Sequence, residues 1–285
     1  MFYIHSNDLK NNEYMPIGDK RQIVACVNNA YYAISNVCPH QKSLISTKKG
    51  KGSRVCPYHG WSFDIAGNPL TSGKTACKNN NPLKFKPLYE WNHLLFSIPV
   101  DCVMFADFSS LELVEHRTDI VSGNAITIMD IFLDVEHIPL VHCGVYDQIG
   151  LTNVTEVEWT FYDWGSLQLV PRNADYYKEF EATLLEEDKS NPYGAAWLAV
   201  YPGTMIEWQI GTVFITVAGK TENNLTPVEV YKYRDTRYNN QNWTLNNQIW
   251  ELAWSQDKRQ VGLIAEVNNN NLEEAKQHFR RTLIK

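Results

Sequence analysis

The sequence has no long apolar run. Its longest, Leu94 to Phe108, is interrupted by Pro99, Asp101 and Asp107, whereas a helix needs about 20 mostly apolar residues to cross a bilayer. The first dozen residues lack the basic start and apolar core of a secretory signal and carry Asn7, Asp8, Asn11 and Asn12 instead. These two absences predict a soluble, cytoplasmic protein with no membrane attachment. Positive charge is also short: 26 Lys and Arg face 32 Asp and Glu, for a net charge of -6. Lys48, Lys49 and Lys51 form the only dense basic run, which reads as a solvated loop. Nucleic acid is excluded as a partner, because neutralising phosphates requires a concentrated basic face. Nucleotide-binding signatures are missing too. Gly50-x-Gly52 opens such a pattern but lacks the third glycine and falls within a hairpin. Six cysteines without a secretory signal fit metal ligation plus a few buried thiols better than a disulfide framework.

What is present falls into two parts. A chain of 285 residues, 44% of them hydrophobic, is long enough for two moderate domains, each with its own core. Residues 14 to 100 read as short strands: Gln22–Val27, Ala30–Ser35, Arg54–Val55, Ser62–Ile65, Leu83–Lys86 and Leu94–Ile98. Turn signals separate them at Asn28-Asn29, Gly50 to Gly52, Gly67-Asn68-Pro69 and Asn79 to Pro82. From Gly123 the period becomes helical, with Ile126, Met129, Ile131, Phe132, Leu133 and Ile138 on a wide apolar face. Ala195–Tyr201, Met205–Ile210, Thr212–Ala218 and Pro227–Tyr233 read as an antiparallel sheet. Two helices are expected after it, Leu245–Val267 and Leu272–Leu283, joined by Asn268 to Asn271. The change in composition just before Asp107 divides an all-β domain over 1–105 from a second domain over 106–285.

Two clusters carry the chemistry. Cys38-Pro39-His40 and Cys56-Pro57-Tyr58-His59-Gly60-Trp61 give Cys-x-His and Cys-x2-His, with fifteen residues between His40 and Cys56 (56 − 40 − 1). A Rieske [2Fe-2S] centre takes two thiolates on one iron and two imidazoles on the other, which two loops donating one of each would supply. Exchanging two thiolates for neutral histidines lifts the potential from about −400 mV to about −150 mV or above. The rival reading is structural zinc on the same four residues, although zinc fingers usually segregate cysteines and histidines into separate pairs.

The second cluster lies in the helical segment, as Asp130-x3-Asp134-x2-His137-x-Pro139-x2-His142. On one helix Asp130, Asp134 and His137 would share a face, and Pro139, lacking an N–H, would break the ladder and swing His142 towards His137. Two imidazoles and a carboxylate on one face of a metal ion leave positions open, the arrangement used by non-haem Fe(II) oxygenases. The bland reading of His137 and His142, as polar groups at a helix end, stands beside it.

The Cys-Pro-His and Cys-Pro-Tyr-His-Gly-Trp strings, with Phe63-Asp64 and Gly67 after them, resemble the Rieske domain of Rieske non-haem iron oxygenases. The Asp130 to His142 string resembles the catalytic helix of that family's terminal component, especially the branch of vanillate O-demethylase-like monooxygenases. This chain departs at Gln41-Lys42, where the family usually has Arg-Gly, and at Ile131, where the branch usually has Asn. Ser43 and Tyr58 occupy the positions at which respiratory Rieske proteins carry a bracing disulfide.

The resemblance implies an α+β chain, in which a β-rich Rieske domain precedes an antiparallel-sheet, helix-grip (START-like) catalytic domain. It implies a [2Fe-2S] cluster on Cys38, His40, Cys56 and His59, and mononuclear Fe(II) on His137, His142 and a late acidic residue, Asp257 after Gln256, with Glu251 as runner-up. It gives Asp134 the role of joining His137 to the cluster histidine His59 of the next chain in a homotrimer. It also implies O2 as co-substrate, a separate ferredoxin or flavin reductase passing electrons from NAD(P)H, and hydroxylation or oxidative demethylation of a small organic substrate, aromatic ones included. Dioxygenation is a further outcome of the same chemistry. The alternative is a non-catalytic electron carrier or binding protein that has lost the second iron site. Trp197, Tyr201, Met205, Trp208 and Phe214 either line a pocket or, the commoner use of such residues, fill the core. Cys26, Cys77, Cys102 and Cys143 read as buried thiols, and His5, His93, His116 and His278 as ordinary polar residues.

Overall fold

The computed structural model describes residues 2–70, 81–102, 106–151, 153–173, 175, 178, 184–238 and 240–270. The expected helix Leu272–Leu283, Cys77, His278, Asn271 and the Asn79-Asn80 part of a predicted turn lie outside these residues. The chain divides into two compact units, Met1–Ser109 and Ser110–Lys285.

Among its described residues the first unit is all β apart from a short 3-10 turn. Its strands are β1 (Phe2–His5), β2 (Glu13–Ile17), β3 (Gln22–Val27), β4 (Ala30–Ser35), β5 (Gly50–Lys51), β6 (Arg54–Val55), β7 (Ser62–Phe63), β8 (Phe85–Pro87), β9 (Tyr89–Trp91) and β10 (Leu94–Phe96). They form a five-stranded sheet in the order β5-β2-β3-β4-β8, a three-stranded sheet β1-β10-β9 and the hairpin β6-β7. The β3–β4 hairpin turns on Asn28 and Asn29, both at positive φ, a conformation asparagine tolerates and a tight hairpin demands. Gly50-x-Gly52 enters β5, which pairs with Glu13 and Tyr14 of β2. His5 is buried and donates from Nε2 to the Phe108 carbonyl at 2.9 Å, so it holds the chain together rather than a ligand.

The second unit is built on one antiparallel sheet of seven strands. These are β11 (Leu111–Ser122), β12 (Glu158–Tyr162), β13 (Gly165–Pro171), β14 (Tyr193–Val200), β15 (Thr204–Gln209), β16 (Thr212–Ala218) and β17 (Leu225–Asp235), in the order β11-β17-β16-β15-β14-β13-β12. Helix α1 (Ala125–Leu133), capped at its start by Asn124 Oδ1 accepting from Thr127 N at 2.9 Å, and the long helix Asn240–Asn270 pack on it. Asn246 ties the long helix to the β15–β16 turn, donating to the Ile210 carbonyl at 3.0 Å. Trp250 and Trp254 sink into a core of Val121, Ile128, Phe214, Val228, Val230 and Val261. Among the described residues no helix is long and apolar enough to cross a membrane.

Three expectations need correction. The helix that was to run from Gly123 to Pro139 ends at Leu133, and Asp134 adopts extended dihedrals. The Asp134 carboxylate accepts from Glu136 N at 3.0 Å, competing for the backbone as a capping side chain does. Pro139 breaks nothing: it sits in the first turn of a new short helix, α2 (Ile138–Val141), where its missing N–H costs no bond. Second, the long helix continues through Asn268, Asn269 and Asn270 instead of stopping at Val267. Third, Cys143 is exposed, whereas Cys26 and Cys102 are buried as expected.

The sheet's edge strand β11 carries charge on its inward side. Asp119 Oδ2 accepts from Trp254 Nε1 at 2.7 Å and Lys258 Nζ at 2.9 Å, and its Oδ1 accepts from Arg117 at 3.0 Å. Burial pushes this carboxyl up, but the bonds from Lys258, Trp254 and Arg117 outweigh it and hold the pKa at about 2, against an ordinary 3.8. Because the folded value is depressed, the stabilisation is present above the ordinary carboxylate range and is lost as pH falls through about 2. Asp119→Asn should therefore lower stability by about 1 kcal/mol at neutral pH, a figure already reduced for screening at the sheet edge. In urea titrations the gap between variant and parent should close between about pH 4 and pH 2; a gap independent of pH would contradict the assignment.

Candidate metal centres

In the first unit, two loops of like construction face one another. The Cys38 N–H donates to the Ser43 carbonyl at 2.8 Å, and the Cys38 carbonyl accepts from Lys42 N at 3.0 Å. The second loop repeats this pattern: Cys56 N to the Trp61 carbonyl at 2.8 Å, and Gly60 N to the Cys56 carbonyl at 2.9 Å. Gly60 and Lys42 occupy the same place in their loops and both have positive φ, 73° and 58°. Glycine takes that conformation freely, whereas a lysine pays roughly 1 kcal/mol of strain.

Both cysteines are buried, 2% exposed each, beside Ile23, Ile34, Phe63 and Leu83; both histidines lie at the surface. The His40 and His59 rings are 4.6 Å apart, and Trp61 stacks on His40 at 4.7 Å. Burial pushes the Cys38 thiol up, and the adjacent Cys56 sulfur adds to the shift. The two thiols are unoxidised neighbours. Paired thiols beneath paired imidazoles suit a cluster with one thiolate-bound and one imidazole-bound iron.

In the second unit, the break at Asp134 has a direct consequence for His137. This histidine ends the 3-10 turn Val135–His137, and its Nδ1 donates back to the Asp134 carbonyl. His142, at the end of α2, donates from Nδ1 to Gln256 Oε1 of the long helix at 2.7 Å. A carbonyl oxygen only accepts, so each imidazole carries a proton on Nδ1 and, when neutral, turns Nε2 inward as an acceptor. Those two Nε2 atoms are 3.1 Å apart. Asp257 Oδ1 lies 3.3 Å from the first and 2.9 Å from the second, yet it is buried without a hydrogen-bond donor.

With both rings neutral, three acceptors converge, an arrangement that calls for a positive charge. Burial lowers the pKa of His137 and raises that of Asp257, but in each the attraction between imidazole and carboxylate wins: His137 moves up and Asp257 down. Separations of 2.9 to 3.3 Å match adjacent ligands of a metal bound at about 2.1 Å, which sit about 3.0 Å apart at right angles. Glu251, the rival acid, is engaged elsewhere: its carboxylate accepts from Arg117 at 2.6 and 3.1 Å and from Lys232. Asp235 is held by Arg237. The Asp134 carboxylate does not touch His137; the backbone carbonyl of the same residue does.

The triad opens onto a half-open pocket, with Tyr146, Trp197, Met205, Glu207, Trp250 and Trp254 on its walls. Of the five sheet aromatics and methionines singled out in the sequence, Trp197 and Met205 reach it. Trp208 and Phe214 are buried outside its lining, and Tyr201 is exposed. Four wall residues carried no expectation. Trp250, Trp254 and Asp257 follow a helical i, i+4, i+7 spacing that could have flagged a shared face. Glu207, a lone acid inside the apolar run Met205–Ile210, was a signal of the same kind. Tyr146 offered none. The Glu207 carboxyl is pushed up by burial to about 7.

Residues 1–83 match the Rieske [2Fe-2S] domain. Over these residues the chain carries a Rieske [2Fe-2S] domain. It is 28% identical over 219 residues to putrescine 2-hydroxylase of Ralstonia nicotianae, a match covering 68% of this chain and 59% of that protein. Thus the match spans about three fifths of that relative's length. Among solved structures, a quaternary ammonium Rieske monooxygenase in complex with an inhibitor superposes with a TM-score of 0.70 at 15% identity, covering 94% of this chain and 78% of the other. Naphthalene 1,2-dioxygenase from Rhodococcus sp. gives 0.65 at 14% identity, with 94% and 76% covered. At such identities these structures establish the fold, an N-terminal Rieske domain followed by a large antiparallel sheet.

Proposed function

We propose that the protein is the oxygenase component of a multicomponent system, using O2 and electrons from a separate ferredoxin or flavin reductase to hydroxylate or oxidatively demethylate a small organic substrate. One observation carries this reading: two imidazole nitrogens and an unpartnered buried carboxylate oxygen converge in a chain that also has a Rieske domain. Cys38, Cys56, His40 and His59 hold the [2Fe-2S] cluster, and His137, His142 and Asp257 hold mononuclear Fe(II). When bound, the cluster supplies single electrons and the mononuclear iron supplies O2 activation.

The chain's residues provide the setting. Gln256 and the Asp134 carbonyl fix the imidazole tautomers, a duty that raises ligand basicity. Tyr146 and Trp197, both buried, give the pocket an apolar wall. The functional halves of this reading are 1–105 and 106–285. Monooxygenation is favoured over dioxygenation by the likeness of the catalytic-helix string to the vanillate-type branch and by the hydroxylase relative. The missing nucleotide fingerprint assigns NAD(P)H to the partner reductase. Asp134 is exposed, with Pro139 and the 82% exposed Leu140 following it; this supports a docked neighbour in a homotrimer, with Asp134 between His137 and the next chain's His59. A cytoplasmic location belongs to the same reading.

Metal analysis of the purified protein tests it. Red-brown protein with about three iron and about two acid-labile sulfide per chain is expected. About two iron would favour the electron carrier without a second site, and colourless protein holding zinc would overturn both cluster and oxygenase.

A further inference from the structure

Glu207 is a buried acid that the iron-site reading leaves without a task. It stands on β15 opposite Trp197 of β14, with Met205 two residues along the same face, so all three project into the pocket. The side chain is 8% exposed. Trp250 Nε1 donates to Oε1 at 2.9 Å. Among the described residues no lysine or arginine forms an ion pair with Glu207. Two half-buried acids nearby are treated differently: Asp119 of β11 has Lys258 and Arg117, and Glu251 of the long helix has Lys232 and Arg117. The walls around Glu207 add the rings of Tyr146 and Trp197, whose faces attract cations; Trp250 and Trp254 already carry Lys232 and Lys258 over theirs. Among the described residues no lysine or arginine lines the pocket.

An isolated carboxylate in an aromatic enclosure is costly to keep unless a cation arrives with the ligand. Resting on the oxygenase reading for the same pocket, we propose that the substrate is an organic cation, a protonated amine whose N–H donates to the Glu207 carboxylate while its alkyl part lies against Tyr146 and Trp197. The carboxylate then selects against neutral and anionic molecules of equal size, since its charge-assisted bond is lost when the ligand has no charge to offer.

The test is equilibrium binding to the holoenzyme, kept anaerobic so that no turnover occurs, followed by tryptophan fluorescence. The probes are n-hexylammonium, 1-hexanol and hexanoate. The parent protein should bind the amine at least about tenfold more tightly than the alcohol, with hexanoate weakest. Glu207→Gln keeps an acceptor for Trp250 but removes the charge; it should erase most of the amine preference and leave alcohol binding unchanged. An alcohol bound as tightly as the amine by the parent protein overturns the proposal whether or not the variant folds, as does an undiminished preference in Glu207→Gln. Iron content separates the two readings. Full iron without amine preference removes only the substrate class, whereas a Glu207-dependent preference in protein that takes up no mononuclear iron removes only the oxygenase.

Discussion

Asp257→Ala should take the protein from about three iron atoms per chain to about two and lower turnover by at least about a hundredfold, while the visible spectrum of the cluster stays unchanged. Asp257 is the sole anionic donor of the triad. Its Oδ1 is 2.9 Å from His142 Nε2 and 3.3 Å from His137 Nε2, and no protein donor satisfies it. Without it the ion would face two neutral imidazoles and a new void, losing both its charge partner and one arm of the chelate. Glu251→Gln is the discriminating control. Its carboxylate serves Arg117 and Lys232, so that variant should keep all its iron and lose only stability. Retention of full iron by Asp257→Ala, or loss of iron by Glu251→Gln, would show that the wrong acid has been chosen.

Asp134→Asn is expected to keep both metal centres and still lose about a hundredfold or more in turnover. Asparagine preserves the side-chain oxygen that accepts from Glu136 N and leaves untouched the backbone carbonyl that fixes His137, so the turn and the triad should persist. What disappears is the exposed negative charge assigned to bridge His137 and the neighbouring chain's His59. Stopped-flow absorbance on pre-reduced protein with substrate and O2 would report reoxidation of the cluster directly; this step should slow by the same factor as turnover. Asp134→Ala adds the loss of a cap, worth about 1 kcal/mol, so a stability difference between the two variants with equal catalytic loss would separate capping from electron transfer. Full-speed reoxidation in either variant would remove Asp134 from the route.

Much of the first unit was legible because its signals are local. Asn28-Asn29 between two alternating runs specifies a hairpin whatever surrounds it, and β3 and β4 have the expected limits. Strand β11 was not legible. Its inward positions include Glu115, Arg117 and Asp119, so the usual apolar alternation is replaced by charges that are satisfied only once Lys232, Lys258 and Trp254 arrive from distant elements. Strands β12 and β13 escaped in the same way, the former presenting Trp159 and Phe161 to solvent. The helix break was misassigned to Pro139 because proline is the conspicuous breaker in a sequence. The acting residue is Asp134, whose carboxylate claims Glu136 N.

The donor types and their spacings were determined by the sequence alone. Cys-x-His and Cys-x2-His confine each thiol and imidazole to one short loop, and His137 and His142 are separated by less than two helical turns. The tertiary structure decided everything that depends on partners far along the chain. It brought Gln256 to His142 across 114 residues, gave Asp257 to the histidines and Glu251 to Arg117, and set Glu207 opposite Trp197 in the pocket wall. Both acids lie on one helix within six residues of each other, and local pattern treats them alike. Only the packing of that helix on the sheet distinguishes them, because a carboxylate is assigned by the charges it meets.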